Sequence, residues 1–131
     1  MKYFFSILTV LMALAGCNAG QEPKDIVSTY LKAIDSFDFE KANSLLQQNA
    51  ENRSALEEIK KYSNTLSESQ KQALLSKGKN RIYYIIDKGS TEKTASIIAT
   101  NNEGNFTSVI SFELVKENGQ WFIKTFKADA G

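Results

Sequence analysis

The chain has 131 residues, with 16 Lys+Arg against 15 Asp+Glu, one cysteine and no histidine. That balance gives no global basicity that would argue for nucleic acid or an anionic surface, and the missing histidine removes the commonest general base and transition-metal ligand. A lone cysteine excludes an internal disulfide, and the length suits one domain with a modest core.

Met1-Lys2-Tyr3 supplies a short positive start. Phe4 to Ala15 is uncharged and apolar apart from Ser6 and Thr9. This run has the length of a signal-peptide core and falls short of the ~20 apolar residues a spanning helix needs. Leu14-Ala15-Gly16-Cys17 closes it. A branched apolar residue, two small residues and a cysteine resemble the bacterial lipoprotein signature at each of four positions. The resemblance implies cleavage between Gly16 and Cys17, a diacylglyceryl thioether on the Cys17 thiol, and acylation of the new amine. Palmitate-type chains on Cys17 would then make the lipid bilayer a partner, since two or more chains anchor stably where one does not.

Two other outcomes stay open. Ala13-Leu14-Ala15 is itself an A-x-A site, and a cut after Ala15 releases a soluble protein. An uncleaved anchor is the weaker option, because Gly16, Asn18, Gly20 and Gln21 end the apolar run early. Residues 1–16 therefore read as a removed signal peptide, 17–22 as the lipidated cysteine and a short tether, and 23–128 as a single α+β domain. Removing 16 of 131 residues leaves 115, and losing Lys2 leaves the charges at 15 against 15. Asn18 rather than Asp follows Cys17. By the enterobacterial sorting convention this resembles outer-membrane routing, so the expected address is the cell envelope, on the outer membrane facing the periplasm.

Pro23 opens a helix at the first-turn position proline favours, and Asp25 adds a favourable charge there. Ile26, Val27, Tyr30, Leu31 and Ile34 share its apolar face. Ser36-Phe37-Asp38 breaks it. Asp38 is an N-cap for a second helix over roughly 39–48, with Phe39, Ala42, Leu45 and Leu46 on its apolar face. Capping-box patterns at Ser54-Ala55-Leu56-Glu57 and Ser67-Glu68-Ser69-Gln70 predict helices near 54–63 and 67–77, which merge into one kinked helix if Ser63-Asn64-Thr65 does not break them.

After Gly78 the pattern turns strand-like, with strands expected over 81–87, 92–100, 106–116 and 120–127. Lys88-Gly89 and Asn118-Gly119 are hairpin signals, and 101–105 contains Gly104 in a looser turn. A two-residue Asn118-Gly119 loop sets Glu117 against Gln120, Leu114 against Ile123, Phe112 against Thr125 and Glu113 against Lys124. Matching apolar residues across the other hairpins puts Ile82, Tyr84, Ile86, Ala95, Ile97, Ala99, Ile110, Phe112, Leu114, Trp121 and Ile123 on one face, expected to meet the helices. Tyr83, Ile85, Val109, Val115, Phe122 and Phe126 fall on the other, among Ser and Thr residues and the Glu113–Lys124 pair. That mixed face suits a protein partner, a homodimer or cover by 54–77; ordinary strand propensity explains it equally well.

Helices followed by an antiparallel meander make an α+β domain, with the helices on one face of a curved four-stranded sheet. Three stretches narrow it further: Pro23-Lys24-Asp25-Ile26-Val27-x-x-Tyr30-Leu31-x-Ala33-Ile34, the Phe37-Asp38-Phe39-Glu40-Lys41-Ala42 step, and Val115-Lys116-Glu117-Asn118-Gly119-Gln120-Trp121-Phe122-Ile123. Together they resemble a domain-of-unknown-function family of small bacterial lipoproteins. That family is similar to the nuclear transport factor 2-like, cystatin-like or SnoaL-like cone folds and to lumazine-binding-like domains. The resemblance covers about 22–127 and implies a shape, with no functional residues to carry over.

The wider superfamily includes isomerases and cyclases whose pocket holds an acid beside a Tyr or His. Here Tyr30, Tyr84, Phe112 and Trp121 are the expected pocket lining, although Tyr at core spacing and Trp121 on the apolar face also read as packing. Asp35 and Asp87 sit at element ends, where acids cap and solvate. Glu57-Glu58-x-Lys60-Lys61 is a solvated, ion-paired helix face rather than a metal site. Lys71, Lys77, Lys79 and Arg81 form a basic cluster that suits a solvated helix end, or anionic headgroups. No cofactor, metal or nucleic acid is expected. The reading is a non-enzymatic, lipid-anchored binding domain; a SnoaL-like pocket enzyme and an inhibitor- or immunity-like lipoprotein are the alternatives. An Asp within reach of a Tyr in a roomy cavity would favour the enzyme. A filled core with an apolar outer patch would favour a partner surface.

Overall fold

The computed structural model describes residues 20–103 and 106–130. The signal segment, the cleavage site at Gly16 and the lipidation site at Cys17 lie outside the described residues. Within them, four helices precede four strands: α1 (Pro23–Asp35), α2 (Phe39–Ser44), α3 (Ala50–Asn64), α4 (Glu68–Asn80), β1 (Tyr84–Ser90), β2 (Thr94–Glu103), β3 (Phe106–Glu117) and β4 (Gln120–Ala130). The strands form an antiparallel meander in the order β1-β2-β3-β4, and the helices pack on one face of it. The α+β class expected from the element order is what forms.

Local chemistry sets most boundaries. Pro23 stands at the first turn of α1, and the Asp25 carboxylate accepts the Glu22 amide at 3.2 Å. Ser36 ends the helix by donating its hydroxyl to the Lys32 carbonyl at 2.8 Å, and Phe37 turns the chain at φ 58°. Asp38 caps α2 through the Lys41 amide at 3.1 Å. Ser67 and Gln70 form the expected box at α4, which runs on through Gly78 to Asn80. The hairpin turn has φ 51° at Asn118 and 79° at Gly119, the pair a type I′ turn requires.

Two helices differ from expectation. The second ends at Ser44 instead of continuing to 48, because sheet bonds claim its backbone. The Ile123 amide donates to the Leu45 carbonyl at 2.9 Å, and the Gln47 amide donates to the Ile123 carbonyl at 2.8 Å. This parallel bridge ties the chain to the β4 edge. The third begins at Ala50 instead of 54, because the Asn49 side chain caps it first, accepting the Asn52 amide at 2.8 Å.

The sheet corrects two registers. Ala99 pairs with Ile85, and Ile98 with Ile86. Tyr83 and Ile85, expected on the outer face, therefore pack against the core, while Ile82, Tyr84 and Ile86 are 68, 62 and 53 % exposed. The run Ile82-Tyr83-Tyr84-Ile85-Ile86 is apolar on both faces, so its pattern could not fix which side is buried, and a one-residue change reverses every side chain. In β3 and β4, Leu114 pairs with Ile123 as expected, but a bulge follows. Phe112 then meets Phe126 instead of Thr125, and Glu113 meets Thr125 instead of Lys124. Phe126, also expected outside, joins the core side, with its ring 5.4 Å from Tyr30 and 6.2 Å from Phe112. Glu113 instead accepts the Ser96 hydroxyl at 2.8 Å.

The core lies between α1, the 45–46 corner and the inner faces of the strands. Ile26, Val27, Leu45, Leu46, Ile97, Phe112, Leu114 and Ile123 are almost wholly buried. α3 reaches the sheet through Leu56 and Asn52, whereas α4 has no buried residue and packs against α1.

Candidate functional site

At the C-terminal end of α1, Asp35 meets the end of α4. Gly78 makes that approach possible: a Cβ there would stand 2.8 Å from the Asp35 carbonyl oxygen. The chain then turns into Arg81 and the start of β1. Arg81 donates to Asp35 Oδ1 at 2.6 Å through one guanidinium nitrogen and to Glu103 Oε1 at 2.8 Å through Nε. The Tyr83 hydroxyl donates to Asp35 Oδ2 at 3.0 Å. These bonds join α1, α4, β1 and the end of β2.

Asp35 and Arg81 have side-chain exposures of 10 and 19 %. Burial pushes the Asp35 carboxyl above its usual value, while the Arg81 charge and the Tyr83 and Arg81 hydrogen bonds pull the other way. Burial, with the neighbouring Asp35 charge, moves the Tyr83 hydroxyl up to about 12. Glu103, bonded to and charged against Arg81, is held below the usual carboxylate range.

Beside this cluster runs a groove of about 550 Å³ between α1, α4 and β1. Leu75, Ile82, Tyr83 and Ile85 give it apolar walls, and Ser28, Lys32, Asp35, Lys79 and Arg81 its polar groups. The exposed Lys32 and Lys79 make no ion pair among the described residues. A second hollow of about 570 Å³ lies across Arg81 and Ile82, lined by Lys77, Tyr84, Asn101 and Glu103. A third, of about 680 Å³, lies against Gly20–Glu22, Thr91–Lys93, Lys116 and Trp121.

The expected pocket quartet does not assemble. Tyr30 and Phe112 do meet, edge to face at 5.9 Å, but Phe126 packs on both and their contact belongs to the core. Tyr84 stands on the opposite, outer face, opposite Thr100. Trp121 packs partly against the core, as its place on the apolar face led one to expect, and its remaining surface lines the hollow beside Gly20–Glu22, with the Lys116 ammonium 5.8 Å from its ring. Of the expected partner face, Val109, Val115 and Phe122 are half-buried on the outer side, where Val115 pairs with Phe122 and Val109 with Thr100. Tyr83, Ile85 and Phe126 are on the inner side.

Asp35 is not the solvated end-of-helix acid it resembled. It is paired with Arg81 and Tyr83 and mostly buried. Nothing local marks them: Arg81 lies 46 residues away and Tyr83 48. Asp87 does act locally, accepting the Gly89 amide at 2.9 Å and the Ser90 hydroxyl.

No protein-family model matches this chain, and no curated protein matches it at a significant level.

An Asp beside a Tyr is a pairing that an acid–base pocket uses. Here both Asp35 oxygens already accept hydrogen bonds, one from Arg81 and one from Tyr83. Each carboxylate oxygen keeps acceptor capacity beyond these bonds, so they fix where the Asp35 carboxylate sits without occupying all its lone pairs. The arrangement acts as a strut that holds the groove walls. Among the described residues, no three His, Cys, Asp or Glu side chains group so as to hold a metal ion, and no helix is long and apolar enough to cross a membrane.

Proposed function

We propose that this chain is a lipid-anchored domain of the cell envelope that works by binding, with the groove between α1, α4 and β1 as its site. The anchor rests on Leu14-Ala15-Gly16-Cys17; acyl chains on Cys17 hold the domain on the outer membrane, facing the periplasm. Helices on one face of a meander suit the cone-like, cystatin-like or nuclear transport factor 2-like fold. The observation that carries the binding reading is the groove itself, an apolar trough with two lysines, Lys32 and Lys79, that make no ion pair among the described residues. Its volume of about 550 Å³ lies within the usual range for small-molecule sites. Charge and apolarity together suit an amphipathic anion, with its head on Lys32 and Lys79 and its apolar body along Leu75, Ile82 and Ile85.

Calorimetric titration with a medium-chain fatty carboxylate and with a quaternary ammonium amphiphile of equal chain length tests this. The carboxylate should bind more tightly, and the double variant Lys32→Glu, Lys79→Glu should reverse that preference. Equal binding of both amphiphiles, unchanged in the variant, would contradict the assignment.

A second reading has its own observation. Tyr84 and Ile86 are exposed on the outer sheet face beside Ile98, Val109, Val115 and Phe122. Apolar side chains gathered on one sheet face suit a protein partner or a second copy. Light scattering over a range of concentrations separates the two: a mass that doubles, and returns to the monomer on Tyr84→Lys, supports self-association.

A further inference from the structure

We propose that the turn end of the domain, formed by Thr91–Lys93, Lys116 and Trp121, is a membrane-contact surface, so that the groove is held away from the bilayer. The inference rests on acylation of Cys17. Gly20–Glu22 lie against this end of the sheet, sharing one hollow with those residues. Three residue steps separate Cys17 from Gly20, so the chain between them spans at most ~11 Å. The polar headgroup layer is itself roughly 5–8 Å deep on each side of the hydrocarbon. A Cys17 whose acyl chains are buried therefore keeps Gly20, and the hollow it lines with those turns, close to the headgroups.

The surface has matching chemistry. Trp121 is half-buried, with an apolar body and an N–H, the character that places tryptophan at membrane interfaces. The Lys116 ammonium lies over its ring, and neither Lys93 nor Lys116 makes an ion pair among the described residues. Glu92 and Glu22 offset the two lysines, so the end is near neutral and suits a zwitterionic phospholipid surface. The opposite end carries Lys77, Lys79 and Arg81 beside Asp35. The 13 residues of α1 separate the two ends, which at 1.5 Å per residue is ~20 Å. The basic cluster thus sits with the groove, out of reach of headgroups.

Trp121 is the only tryptophan, so its fluorescence reports on this surface directly. The test uses the full chain expressed in a lipoprotein-processing bacterium, purified from membranes and reconstituted in phosphatidylcholine vesicles carrying a headgroup spin label. Mass spectrometry first establishes acylation. Trp121 emission should be lost to the spin label, whereas the double variant Trp121→Phe, Tyr84→Trp should keep its emission and yield instead to aqueous acrylamide. An acylated protein with equal quenching at both positions, or none at Trp121, overturns the orientation while leaving the anchor intact. A product without acyl chains overturns the anchor reading, and the orientation with it.

Discussion

Asn52 offers the sharpest test of how the fold is held. It is 2 % exposed, in the first turns of α3. Its side-chain amide donates toward three carbonyls: Gln47 at 2.9 Å, and Ile123 and Lys124 at 3.0 Å. Two N–H groups serve three acceptors, so one bond is shared. Each carbonyl keeps another donor: the Gln47 amide for Ile123, the Asn49 amide for Gln47 and the Asn49 side chain for Lys124. Asn52→Ala therefore strands no acceptor completely. It removes about two net hydrogen bonds, worth about 1–3 kcal/mol together. Asn52→Asp keeps the shape but turns a carboxylate toward three carbonyls, in a site that has no cation bonded to it. It should cost more than the alanine, by at least about 1 kcal/mol at neutral pH. Urea unfolding followed by circular dichroism measures both. Equal losses in the two variants, or a loss under about 0.5 kcal/mol in each, would refute the donor role and leave the bulge at Lys124 without its cause.

Other expectations follow from single contacts. The Tyr30 hydroxyl is buried with no hydrogen-bond partner among the described residues, so Tyr30→Phe should leave stability unchanged or raise it by up to about 1 kcal/mol; a clear fall in urea midpoint would reveal a partner. Gly78→Ala should destabilise by about 1–3 kcal/mol, although alanine ordinarily gains in a helix interior, because the new Cβ would meet the Asp35 carbonyl at 2.8 Å; a stabilised variant would refute the close contact. The Asp35 carboxyl is raised above 3.8 by burial, so the folded state holds its proton more tightly than the unfolded chain. Its contribution is fully present below 3.8 and is lost as pH rises through the folded value. The stability of the wild type relative to Asp35→Asn should therefore fall with rising pH across that window, and a rising difference would reverse the assigned sign.

Much of the architecture is written locally. Asp38, the Ser67–Gln70 box and Asn118-Gly119 act within three residues of themselves, and each sits where its chemistry directs. The registers of β2 against β3 follow from a clear alternation, with Ala95, Ile97 and Ala99 facing Leu114, Phe112 and Ile110. What escaped has no local signature. The β1 run is apolar on both faces, and the Tyr83 bond to Asp35 helps fix which side meets the helices. The β4 bulge answers to Asn49 and Asn52, more than 70 residues earlier. The groove needs Gly78 to bring α4 onto α1, and a glycine in a lysine-rich helix reads equally well as a helix end. The site was illegible for the same reason: Asp35, Arg81 and Glu103 are three ordinary charges until the fold gathers them.

The proposed anchoring through Cys17 sets both the address of the domain and its orientation. Metabolic labelling with palmitate, followed by the mass of the processed N-terminus, tests it most directly. The full chain should take up label and begin at a diacylglyceryl-modified Cys17, and Cys17→Ser should lose both the label and membrane fractionation. An unlabelled, freely soluble product beginning at Gly16, cut after Ala13-Leu14-Ala15, would contradict it.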